Sequence, residues 1–389
     1  MNRMLALHVF LFTSTLFAWR APAQTQEPEI DGRSASAWAQ ALARPEQRAA
    51  AVEALVKLGR VGVPFVAKAL DDPSHDARIA GVGVLERLAK NAKGASQALA
   101  KTLRGAREDE ALAWSCSRAL AAIGDDASDA TPELCALVAD SQAADEMRCL
   151  GAWTLGSFGK AAKPAVEPLD RLLESAPVTR LQIVAALSLG RLGETSLPTL
   201  KDDLKKTSNI TLFWTVVALA DEGVLAKGCA DDVAKFFVAD DWKLHPAARV
   251  ALEAAGKKSM LAAALEAKAE RERGKIKGGL VPLNQTSAEL IEAMSYLTAK
   301  DGPLPEEPSV PSKLRDSTGA AVGSFGDLEE CLATHLVARL TDLRKQRDAG
   351  AIKSHTDLSA ALKGLVGTAE WLRRIGSYGS PDRHLPKKK

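Results

Sequence analysis

The chain has 389 residues, of which 69 are alanine; aromatic residues make up 5% and only two are tyrosine. Alanine is the best helix former and a poor filler of sheets, so this balance excludes β-sandwiches and barrels in favour of packed helices. Charged residues at 26% and a formal net charge of +2 exclude wholesale disorder and the strongly basic footprint of a nucleic-acid binder.

The first elements concern export. Arg3 opens the chain, Leu5 to Trp19 carries no formal charge, and Ala21-Pro22-Ala23 has the small-x-small form of a signal-peptidase site. The apolar stretch is shorter than the roughly 20 residues that span a bilayer. Residues 1–23 are therefore expected to be a signal peptide, the alternative being an uncleaved anchor, and the protein to be periplasmic or extracellular. Removing them leaves equal numbers of acidic and basic residues. Residues 24–45, with Trp38, are expected to form an N-terminal cap, and Leu42 at this edge is expected to be less deeply packed than Leu187 further along.

From residue 46 the sequence repeats. RAAAVEALVKLG, RIAGVGVLERLA, LAWSCSRALAAIG, RCLGAWTLGSFG and LQIVAALSLGRLG are succeeded by two weaker copies, LFWTVVALADEG and HPAARVALEAAG. Their closing positions are Gly59, Ala89, Gly124, Gly159, Gly193, Gly223 and Gly256, spaced by 30, 35, 35, 34, 30 and 33 residues. A period of this length signifies an array of helical hairpins. In each unit a first helix of small and apolar residues ends at the glycine, which suits the left-handed position past a helix C-terminus. A proline then opens the second helix: Pro64, Pro132, Pro164 and Pro198. The five cysteines, an odd count spread over a long chain, form no disulfide framework; one bridge among Cys116, Cys135 and Cys149 is weighed against small buried thiols, which are favoured.

These units resemble HEAT-like repeats, in particular the short variety of the phycobilisome lyases: arginine, small residues, Leu-Gly, Pro-Ala and a leucine helix. Arg48, Arg78 and Arg148 hold the arginine position; Ala113, Gln182, Leu212 and His245 replace it elsewhere. The resemblance covers residues 46–273. It implies an all-α superhelix (an α-solenoid) of about seven hairpins, with the second helices lining a concave groove. It further implies a non-enzymatic scaffold for a protein partner, and as an alternative a lyase-like role in attaching a chromophore.

Beyond the array, residues 274–326 hold one amphipathic helix and a Pro/Gly-rich linker. Residues 327–376 form a C-terminal helical hairpin, with leucine stripes at Leu328, Leu332, Leu336, Leu340 and Leu343 and at Leu358, Leu362 and Leu365. It buries little alone and is expected to dock on the array or on a partner.

No catalytic or cofactor motif is present, and no cofactor or metal is expected. Cys331 and His335 lie four apart on one helix and would, with His355, be the best metal candidates, but a core stripe explains the thiol. Five Asp-Asp pairs are read as helix caps, and Trp114, Trp153 and Trp214 as core. The expected partner surface is the groove of repeats four and five, where Arg171, Glu174, Lys201, Asp202 and Lys205 stand among leucines. No nucleic acid is expected.

Residues 377–389 form a basic tail. From Trp371 to Lys389 there are six basic residues against Asp382. Each is worth about 1 kcal/mol near an anionic membrane, falling off within a Debye length. The tail is thus expected to give weak, salt-sensitive adhesion to a membrane surface. A protein ending at Gly376 should sediment less with anionic vesicles than the full mature chain at low salt, and equally at high salt.

Overall fold

The computed structural model describes residues 27–276, apart from 177, 206–208, 222 and 239–243, and residues 325–375. The signal-peptide, linker and tail expectations, and the Cys331 side chain, lie outside the described residues. A two-stranded ribbon, β1 (Glu29–Ile30) and β2 (Arg33–Ser34), precedes α1 (Ala35–Ala41). The indole Nε1 of Trp38 donates to the Ile30 carbonyl at 3.0 Å, and the Arg33 guanidinium lies 4.2 Å from the ring centroid. This ribbon, which the sequence does not announce, closes the N-terminal end of the core.

Seven long helices come next among the described residues, each paired with a second helix. The long ones are α2 (Pro45–Leu58), α4 (His75–Leu88), α6 (Glu110–Ile123), α8 (Asp145–Ser157), α10 (Thr179–Arg191), α12 (Asn209–Asp221) and α14 (Leu244–Ala254). The second helices are α3 (Val63–Ala69), α5 (Ser96–Gly105), α7 (Thr131–Ala139), α9 (Val166–Ser175), α11 (Leu197–Asp203), α13 (Gly223–Ala234) and α15 (Lys258–Ile276). The closing residues Gly59, Gly124, Gly159, Gly193 and Gly256 all have positive φ, and Ala89 takes the same conformation at φ 47°. Pro64, Pro132 and Pro198 sit in first turns. Short 3-10 turns, such as Ala89–Ala95 and Gly124–Ala130, follow the closing residues; Pro164 lies in such a turn, Gly159–Ala165, and not in the first turn of α9 as expected. Their side chains stack across units, with Lys90 paired to Asp125 and Lys93 to Asp126.

The repeat arginines have a definite task. Arg48 Nε donates to the Leu42 carbonyl at 2.9 Å, Arg78 to the Asp72 carbonyl at 3.1 Å, and Arg148 Nε to the Val138 carbonyl at 3.1 Å. Each acceptor lies at or just past the end of the preceding helix, where backbone carbonyls lack intrahelical partners. Gln182 does the same with the Ala176 carbonyl at 3.1 Å, so the repeat without arginine keeps the contact.

Neighbouring long helices touch more extensively than neighbouring short ones. A Cβ on Gly190 would lie 2.8 Å from the Ala218 carbonyl oxygen, and one on Gly156 would lie 3.0 Å from Ser188 Oγ. The long helices thus form the more tightly stacked of the two layers.

The C-terminal hairpin, α16 (Phe325–Asp348) and α17 (His355–Ile375), docks on the long-helix layer, with α16 against α14 and α17 against α10. Its stripe residues Leu336, Leu340, Leu343, Leu358, Leu362 and Leu365 are buried.

The described residues form one continuous apolar core from Trp38 to Ala369. Leu42 is 0% and Leu187 1% exposed, so the expected difference between cap and centre is overturned: the ribbon and α1 bury Leu42 fully. Leu42→Ala and Leu187→Ala should each cost about 2–5 kcal/mol in denaturant unfolding.

Candidate functional site: the long-helix face

Residues spaced by about one and two helical turns form one stripe on every long helix. On α2 the stripe includes Glu46, Ala50, Glu53 and Lys57, all exposed. On α10 it includes Arg180, Val184, Leu187 and Arg191, of which the two apolar residues are buried. In the early repeats the stripe is tied by ion pairs across helices: Arg87 reaches both carboxylate oxygens of Glu53 (2.6 and 3.1 Å), and Arg118 both of Glu86 (3.1 and 2.9 Å). At the fourth repeat Trp153 takes the place of a charge, and Arg191 stacks over it at 5.3 Å. From α10 onward the face is apolar and covered. Leu181 to Gly190, Phe213 to Leu219 and Leu244 to Ala248 are buried without interruption.

At the edge of the cover, polar groups from four helices meet. Arg180 donates to Glu146 Oε1 at 3.0 Å and to Ser359 Oγ at 2.9 Å. The backbone N–H of His355 donates to Glu110 Oε1 at 3.1 Å. The His355 ring places Nε2 3.7 Å from Glu146 Oε1 and 3.4 Å from Ser359 Oγ, while Nδ1 is buried with no hydrogen-bond partner among the described residues. A backbone N–H and the Arg180 guanidinium hold the Glu146 carboxyl below the usual range. Serine, histidine and glutamate are the residue types of a hydrolytic triad, but a triad needs hydroxyl and carboxylate on opposite ring nitrogens. Here both approach Nε2, so this cluster is built to join helices.

The surface expected from sequence falls on the second-helix layer. Arg171, 74% exposed, pairs with Glu167 on its own helix, and Lys205, 75% exposed, pairs with Asp202 at 2.8 Å. Lys201 is partly exposed and Glu174 exposed. The structure groups Glu174 with two residues outside that expectation, Asp170 and the fully buried Asp203, their carboxylate oxygens within 4.8 Å of one another. Each has interactions within the protein. An open cleft of about 720 Å³ lies between the loops 71–73 and 105–109, lined by Asp72, Arg78, Lys101, Arg107 and Asp109. Of the aspartate pairs, Asp72 caps its turn by accepting from the Ser74 amide, and Asp125 and Asp126 meet lysines, as helix-end residues should. His335 is buried in α16, and His355 opens α17 at the array.

No family model matches the sequence, and no curated protein does. Solved structures similar to the chain include an engineered protein (20% identity, TM-score 0.31, covering 49% of this chain and 95% of that one). A designed armadillo repeat protein matches at 16% identity and TM-score 0.30, over 48% of this chain and 98% of its own. The complex of CpcE and CpcF of phycocyanin lyase from a Nostoc species matches at 18% identity and TM-score 0.27, over 64% and 98%.

Cys116, Cys135, Cys149 and Cys229 are free thiols, so no bridge joins Cys116, Cys135 and Cys149. Burial pushes Cys116 up to about 12 and Cys135 and Cys149 up to about 11. They should stay protonated thiols at pH 8. In a Cys331→Ser protein, Ellman's reagent should react with Cys116 and Cys149 only on unfolding. By the order of its helices the chain is an all-α solenoid of helical hairpins.

Proposed function

We propose that the protein is an exported, non-catalytic scaffold that takes an α-helical segment of a partner protein along its long-helix face. One observation carries this reading: the chain's own amphipathic hairpin is already seated on that face, over α10 to α14. A groove that accepts one pair of helices by stripe-to-stripe packing has the chemistry for another. The same stripe continues over α2, α4 and α6, where it is exposed at Glu46, Glu53, Asp76 and Arg87 and partly exposed at Arg118. Large exposed apolar side chains among the described residues are limited to Val61 and Val337, so recognition there is by mixed charge. Export rests on residues 1–23 of the sequence, and membrane adhesion on the basic tail. The phycocyanin lyase likeness, at its low similarity, gives no support to chromophore attachment.

The second-helix layer is the competing surface, because Arg171 and Lys205 stand free of the hairpin. A photo-crosslinking side chain placed at Ala50 or Ala111, and in parallel at Arg171 or Lys205, decides between the layers. With the full chain in its native compartment, partner crosslinks should come from Ala50 and Ala111. Crosslinks only from Arg171 and Lys205 would move the site to the second helices, and then Arg171→Glu with Lys205→Glu should abolish capture at an unchanged Tm. Crosslinks from neither layer would sink the scaffold reading.

A further inference from the structure

We propose that the C-terminal hairpin is a proton-sensitive cover, seated on the long-helix face at neutral pH and loosened by acid through His355. His355 is the first residue of α17, where the helix dipole presents its positive end. Three array helices supply the groups that face it: Glu110 from α6, Glu146 from α8 and Arg180 from α10. From its own helix come Ser359, one turn in, and the first-turn Asp357, whose carboxylate is occupied by the Lys353 amide. Docking thus wraps a titratable ring between two carboxylates, a guanidinium and a helix N-terminus.

The neutral ring suits this seat. It needs one N–H, and Nε2 has Glu146 and Ser359 within 3.7 Å to receive it. Protonation would add an N–H at Nδ1, which is buried with no acceptor among the described residues. A buried donor left unpaired is costly, and here it would carry charge. Glu146 and Glu110 favour the charged ring; burial and Arg180 oppose it. Burial is the largest influence, and the balance holds the His355 pKa below its ordinary 6.5. When the hairpin leaves, the ring returns to water and to that ordinary value.

The sign comes from linkage. The docked state binds the proton more weakly than the undocked state, so undocking takes up protons. Above pH 6.5 both states are neutral and the cover is fully favoured. As the pH falls through 6.5 toward the depressed value, docking weakens; below it the loss is complete. This release is a property of the chain alone. Only its consequence, an uncovered face for a helical partner, rests on the scaffold reading.

The test is hydrogen–deuterium exchange of the full chain at pH 7.5, 6.5 and 5.5, corrected for intrinsic exchange rates. Protection in α17 and in the facing part of α10 should fall with pH, while α2 and α3 stay unchanged. His355→Asn should remove that dependence, and His335→Gln, at the other buried histidine of the hairpin, should leave it in place. A ring titration by NMR gives an independent reading, with the His355 midpoint expected below 6.5. Uniform protection across the range, a dependence that survives His355→Asn, or a ring midpoint at or above 6.5 would each overturn the proposal. No partner is present, so failure here is separate from failure of the scaffold reading.

Discussion

The architecture turns on the apolar surface of α10, α12 and α14. A helix that is hydrophobic all round must be buried all round. Two layers can cover only one side of such helices, and a solenoid of hairpins has only two layers. The sequence of α10 from Leu181 to Gly190 has no charge at all, and from Phe213 to Leu219 α12 has none. The early repeats differ: α2 carries Glu53 where α10 carries Leu187, and α4 carries Glu86 where α10 carries Gly190. The second half of the array therefore requires a third layer that the first half does not. The hairpin is that layer, and its leucine stripes are the matching surface.

Within the two-layer part, the stacking depends on the ends of helices. A short helix leaves its last carbonyls without partners, and these ends lie inside a packed protein. Arg48, Arg78, Arg148 and Gln182 each satisfy one such carbonyl from the long helix next in the chain. Because the donor sits at one position of the repeat, it also sets the angle between successive units. Arg48 and Arg78 reach on to Asp76 and Asp109 at the start of the next long helix, so one guanidinium ties three consecutive elements. These pairs are partly exposed and contribute little as ion pairs. Their weight lies in the carbonyl they satisfy.

Much of this is legible in the sequence because it is periodic. The closing glycines and the prolines five or eight residues later mark the helix boundaries, and the two leucine stripes place α16 and α17 to within two residues. The arginine position is visible, and so is its loss at Gln182; that an amide makes the same bond is not, since the bond depends on the Ala176 carbonyl across a turn. The ribbon at Glu29–Ser34 escapes because two residues per strand leave no alternation to read. The partner surface expected from sequence falls on the second-helix layer. Charges among leucines on α9 and α11 look like a rimmed groove, yet they pair along their own helix, Arg171 with Glu167 and Lys205 with Asp202. How closely successive long helices approach at Gly156 and Gly190 is a tertiary quantity with no one-dimensional trace.

The cover and its edge divide two tasks between them. Apolar burial along α16 and α17 is non-directional: leucine against leucine tolerates a shift of one turn, and an array offers the same stripe every 30 to 35 residues. Within the apolar repeats, leucine packing alone leaves the register of the hairpin open. The cluster of Glu110, Glu146, Arg180, His355 and Ser359 breaks that degeneracy, because the combination occurs once, at the junction of charged and apolar repeats. A shift by one unit would carry Ser359 away from Arg180 and leave His355 without Glu110. Buried or half-buried polar contacts add little net stability and are best at fixing register. In this chain they stand where register is otherwise undetermined, and the group chosen to mark it is one whose charge changes between pH 5 and 8. The contact that positions the cover is thereby also the one most sensitive to the medium around it.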